Sequence, residues 1–111
     1  MLKKLTSMQE VNEFMQQDGL QFLYVTMPNC SVCHGLLPQL EPFVERYSKI
    51  NFAQLDAADI PEAQGQFQLF TAPVALLFVD GKEYIRQARF IPLQQLDEDI
   101  YKIYSQYFQA E

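Results

Sequence analysis

An α/β fold, built on a central mixed sheet with helices on both faces, is what this 111-residue sequence predicts. Three observations predict it. The segments Leu20–Thr26 and Val74–Val79 are near-continuous apolar and β-branched runs, the pattern of strands buried on both faces. Stretches with helical apolar spacing alternate with those runs along the chain. Late in the chain, Asp80-Gly81 between two strand-like segments marks a tight hairpin. The resulting order is helix, strand, helix, strand, helix, strand hairpin, helix, which requires helices on both sides of one sheet.

Each element has a local cause. Ser7-Met8-Gln9-Glu10 reads as a capping box, followed by Val11, Phe14 and Met15 at helical spacing and closed by Asp18-Gly19. Met27-Pro28-Asn29 ends the first buried strand. Over 31–47 the residues Leu36, Leu37, Leu40, Phe43, Val44 and Tyr47 line one helical face. Pro38 sits inside that helix, where it removes a donor and is expected to kink it, and Pro42 adds a second irregularity. Residues 50–55 form another central strand, and Ile60-Pro61-Glu62 opens a short helix with proline in its first turn. After the Asp80-Gly81 turn, 83–90 returns as the hairpin partner of Val74–Val79. Pro92 opens a final helix with Leu93, Leu96, Ile100, Ile103, Tyr104 and Tyr107 on one face. Phe14, Phe22, Phe43, Phe78 and Tyr104 read as core, and Arg86 and Arg89 as a solvated strand face.

No repeat, linker or low-complexity tract divides the chain, so residues 1–111 are expected to form a single domain. An apolar fraction of 49% suffices for a core. A chain this size buries roughly two-thirds of its unfolded surface and needs no staple. The net charge is −6, and the eight basic residues form no stripe that could neutralise a run of phosphates. That argues against nucleic acid as a partner. Lys3-Lys4 could begin a signal peptide, but Gln9, Glu10, Asn12 and Glu13 follow where an apolar stretch is required. No segment approaches the apolar length of a membrane span. The expectation is a cytoplasmic protein without membrane association, acting as a monomer.

In a reducing compartment stable structural disulfides are rare, and cysteines three apart close too small a loop to stabilise much. Cys30 and Cys33, the two cysteines of the chain, therefore ask for a chemical role. They bracket the first turn of a helix that follows a buried strand. Cys30 meets unpaired N–H groups and the positive end of the helix dipole, which stabilise a thiolate. Cys33, one turn on, can close a disulfide and release a mixed-disulfide partner. Cys30 is thus expected to be the nucleophile and Cys33 the resolving thiol.

With these features in place the chain resembles the thioredoxin family over nearly its whole length. The resemblance rests on the strand ending before Cys30-Ser31-Val32-Cys33, on Pro38 eight residues after Cys30, on Thr71-Ala72-Pro73 leading into a strand, and on the Asp80-Gly81 hairpin. It implies a thioredoxin fold, a cis peptide before Pro73, and a Thr71, Ala72, Pro73 segment that faces the disulfide and offers backbone groups to a substrate chain. It also implies a thiol–disulfide oxidoreductase acting on protein disulfides, with electrons from a thiol or a reductase and no cofactor. The sequence departs from the family pattern at several positions. Asn29 replaces the usual tryptophan, Ser31-Val32 replaces Gly-Pro, Tyr24 replaces a buried aspartate, Gln54 replaces a lysine, and Arg89 replaces a glycine. Tyr24, Asn29, His34 and Arg89 are expected to modulate the pair, the last two by favouring a thiolate through positive charge. The missing helpers motivate an alternative, a redox sensor or accessory binding protein that keeps the fold with little turnover.

Two other readings of the pair are weaker. Cys30-Ser31-Val32-Cys33-His34 matches the C-x-x-C-H haem-attachment pattern, but the preceding strand and the sheet-rich remainder disagree with a cytochrome. A zinc site from Cys30, Cys33 and His34 would lack a fourth Cys or His, so no metal is expected.

Overall fold

The computed structural model describes residues 1–109. Its elements are β1 (Lys3–Lys4), α1 (Met8–Met15), β2 (Leu20–Thr26), α2 (Ser31–Arg46), β3 (Ile50–Asp56), α3 (Pro61–Phe67), β4 (Val74–Val79), β5 (Lys82–Ala88) and α4 (Leu93–Tyr107). One five-stranded sheet runs in the order β1-β3-β2-β4-β5. β1 and β2 pair parallel with β3, whereas β2–β4 and β4–β5 are antiparallel. The sheet is mixed, as expected.

Alternation along the central strands divides the core into two layers. Leu20, Phe22 and Tyr24 of β2 pack with Leu36, Leu40 and Phe43 of α2 and with Leu96 and Ile100 of α4. Leu23 and Val25 face the other way, against Val11 and Phe14 of α1 and Ala63 and Phe67 of α3. Phe14, Phe22, Phe43 and Phe78 are buried and Tyr104 half-buried.

β1 adds an edge strand that sequence patterning does not show. Two lysines have no detectable period, and both are exposed, as suits an edge that must resist further pairing. What fixes β1 is its flanks: Leu2 enters one core layer and Leu5 the other. β5 also ends earlier than the expected 83–90. Arg89 adopts φ +69°, a left-handed conformation that breaks the ladder after Ala88. α2 continues through Pro38 and Pro42 as one element. Both prolines lie on its solvent side, where water can replace the missing donors.

At the hairpin, Asp80 (φ +48°) and Gly81 (φ +85°) both take left-handed conformations, the turn whose twist matches that of the flanking strands. Asp80 also ties this end to the start of β2. Its N–H donates to the Gly19 carbonyl, and its carboxylate accepts the Gly19 N–H, both at 2.8 Å. The opposite edge is different. There β2 ends beside the start of β4, with Val25 paired to Val74, so the chain leaves β2 toward Cys30 where it enters β4 from Pro73.

Candidate active site

Cys30 is the N-cap of α2, in an extended conformation with φ −100° and ψ 92°. Its Sγ accepts the N–H of Cys33 at 3.2 Å, taking the place of a serine or aspartate oxygen. Its carbonyl accepts the His34 N–H at 3.3 Å. The two sulfurs are joined as a disulfide, with Cα atoms 5.3 Å apart. Cys30 is partly exposed and Cys33 fully buried, so a partner's sulfur can reach only the first of them. No acidic residue occupies the first turn of α2, which leaves the positive end of the dipole to the sulfur.

Behind the pair stands Tyr24, fully buried, its hydroxyl donating to the Cys33 carbonyl at 2.8 Å. Burial pushes this phenol up to about 12, so it stays neutral and acts as a donor. Tyr24 therefore meets the backbone of the cysteine turn, and the residue paired with it on β3, Gln54, is spent elsewhere, donating to the Leu2 carbonyl at 3.3 Å. His34 is exposed and lines a recess of about 290 Å3 with Lys4, Thr26, Leu37, Gln54, Leu55 and Asp56. Asn29 precedes the pair, exposed, at φ +62°. Among the described residues, no group of three or more His, Cys, Asp and Glu side chains converges as a metal site.

The Ala72–Pro73 peptide is cis. Thr71 and Ala72 are half-buried, and their peptide groups make no hydrogen bond among the described residues. The Pro73 carbonyl accepts the Arg89 N–H at 2.8 Å, which brings Arg89 beside the Thr71–Pro73 segment.

This topology carries a cysteine pair at the start of α2 and a cis-proline at the head of β4, and a thioredoxin family profile matches residues 3–102. The chain belongs to the thioredoxin family. It is 38% identical over 103 residues to the thioredoxin-like protein YdfQ of Bacillus subtilis, covering 93% of this chain and 92% of that one. It is 29% identical over 72 residues to the thioredoxin of Alicyclobacillus acidocaldarius, covering 64% and 69%. Among solved structures, Fasciola hepatica thioredoxin superposes with a TM-score of 0.81 at 19% identity, covering 91% of this chain and 98% of that one. Plasmodium falciparum thioredoxin gives 0.78 at 18% identity, covering 96% and 99%. The thioredoxin fold is thus shown, and with a cysteine pair close enough to bridge, thiol–disulfide oxidoreduction is the chemistry that the family supports in general.

The structure refines one reading of this thioredoxin-family chain. Arg89 lies just past the end of β5, whereas Arg86 is exposed on the strand, as expected, and there also caps a helix. Its Nη2 donates to the Phe67 carbonyl at 2.5 Å and its Nη1 to the Gln68 carbonyl at 3.2 Å, capping the end of α3. Glu83 holds the guanidinium from the other side through two 2.9 Å bonds, which raise the arginine and lower the carboxyl in pKa. The clamp fixes the start of the 68–73 connection. Sequence reasoning misses it because residues three apart on a regular strand point to opposite faces. A register slip between Leu77 and Phe78 inserts one extra residue into β5 and brings the two side chains together. Phe70 and Phe90, both exposed on loops at this edge, are the other features that periodicity does not reveal.

Proposed function

We propose that this chain is a cytoplasmic, monomeric protein-disulfide oxidoreductase working through Cys30 and Cys33. The observation that carries it is the difference between the two sulfurs: one reachable at a helix N-cap, the other buried behind it. In the dithiol form the Cys30 thiolate attacks one sulfur of a substrate disulfide. That S–S bond breaks, one substrate sulfur leaves as a thiolate, and a mixed disulfide with Cys30 forms. The deprotonated Cys33 then attacks Cys30 Sγ, expelling the second substrate thiolate and closing the Cys30–Cys33 disulfide. Two electrons pass to the substrate, and a small thiol or a reductase returns them. Thr71 and Ala72, whose peptide groups make no hydrogen bond among the described residues, hold the substrate backbone beside Pro73. Tyr24 modulates the pair through the Cys33 carbonyl, and Asn29, His34 and Arg89 through their place around it.

A second reading, a redox sensor or accessory binder, draws on Tyr24. The neutral phenol gives Cys33 no buried base. Insulin reduction with dithiothreitol separates the two. Catalysis requires wild type to exceed Cys30→Ser clearly, and equal rates sink it. Trapping with Cys33→Ser should yield many mixed disulfides from an oxidoreductase and a single non-covalent partner from a binder.

A further inference from the structure

We infer that Arg89, together with Phe70 and Phe90, selects among protein disulfides, favouring a segment whose half-cystine is flanked by a carboxylate and an apolar side chain. This rests on the oxidoreductase reading above and names its substrate class. The chain has three arginines. Arg46 is paired with Asp97, and Arg86 is clamped by Glu83. Arg89 is exposed and has no side-chain partner among the described residues. It is held in place nonetheless, since its N–H is bonded to the Pro73 carbonyl. Its φ of +69° is a conformation that glycine adopts freely and an arginine only under strain. A strained position is thus occupied by a long cation that the fold does not use.

The surroundings suit an anionic, apolar partner. Three segments meet at this edge: 27–34, 68–73 and 89–92. They hold Arg89 and His34 and no carboxylate of their own, in a chain of net charge −6; Asp56, at the end of β3, shares the recess of His34 and not the Arg89 side. They also carry Val32, Phe70 and Phe90, which are 61%, 82% and 78% exposed. Bare phenylalanines at a rim gain by being covered. A substrate carboxylate shielded by those rings would meet a guanidinium whose donors have no partner among the described residues, in a fork geometry that matches it.

The test uses the pre-reduced protein and three synthetic peptides sharing one apolar-flanked disulfide. They differ only in Glu, Gln or Lys beside the half-cystine. Each second-order rate is divided by the same variant's rate on neutral hydroxyethyl disulfide. Wild type should reduce the Glu peptide about fivefold faster than the Lys peptide, the gap shrinking at high salt. Arg89→Gln should collapse the spread and Arg89→Glu invert it. Phe90→Ser and Phe70→Ser should lower all three ratios together. Equal ratios for the three peptides in wild type, or an order that survives Arg89→Glu, overturn the selectivity while leaving the oxidoreductase intact. Failure to reduce the neutral disulfide as well overturns both.

Discussion

Two helices of this protein begin with the same hydrogen bond and put it to different use. At α1 the Ser7 Oγ accepts the Glu10 N–H at 3.2 Å; at α2 the Cys30 Sγ accepts the Cys33 N–H at the same distance. The α1 end is electrically complete. Glu10 turns back to accept from the Thr6 N–H and hydroxyl, lowering its own pKa and placing a negative charge on the helix dipole. The α2 end has no acidic side chain in its first turn. An oxygen that is fully satisfied stabilises a helix, whereas a sulfur facing an uncompensated dipole is drawn toward its thiolate. One cap is scaffold and the other is reactive, and the difference lies in which atom sits at the cap and whether a carboxylate stands beside it.

Cys30→Ser sharpens that comparison most. It restores an oxygen cap, so the insulin rate should fall to the dithiothreitol background. Chemical denaturation of the reduced protein should stay within about 1 kcal/mol of wild type. A large loss of stability would mean that the sulfur does more than cap.

Tyr24→Phe comes next. Deleting the hydroxyl bond to the Cys33 carbonyl should cost about 1 kcal/mol in a urea titration at pH 7. The same substitution changes the alkaline limb. Tyr24 has its pKa raised to about 12 in the folded chain, so the native state keeps a proton that the unfolded state releases near pH 10. Its contribution is complete below pH 10 and is lost as pH rises toward 12. Wild-type stability should fall across that window, and Tyr24→Phe should flatten the fall in part. Tyr47, raised to about 12 by burial and by its bond to Asp97, and Tyr107, raised by its bond to Asp80, sustain the remainder.

Ser7→Ala should cost about 1 kcal/mol by thermal or urea unfolding and leave the insulin rate unchanged, because that cap serves only the fold. The smallest effect is expected from Ser31→Glu, which gives α2 the acidic first turn that α1 already has. By compensating the dipole it should raise the Cys30 thiol pKa and slow thiolate-dependent alkylation about two- to fivefold at neutral pH. A faster reaction would break the comparison.

Within the described residues, the sequence by itself determined the buried strands, the helices with their apolar faces, the hairpin, and the cysteine pair at a helix start. Each rests on a local rule: period, cap chemistry, turn conformation. Contacts between segments distant in the chain were decided only by the tertiary structure. Leu2 and Leu5 make β1 a strand by entering two core layers, and a slip in register turns Glu83 and Arg86 into a clamp on α3. Tyr24 shows both sides at once. Its place in a buried strand was legible, but the partner of its hydroxyl was not, because a hydrogen bond depends on where the backbone of another element comes to lie.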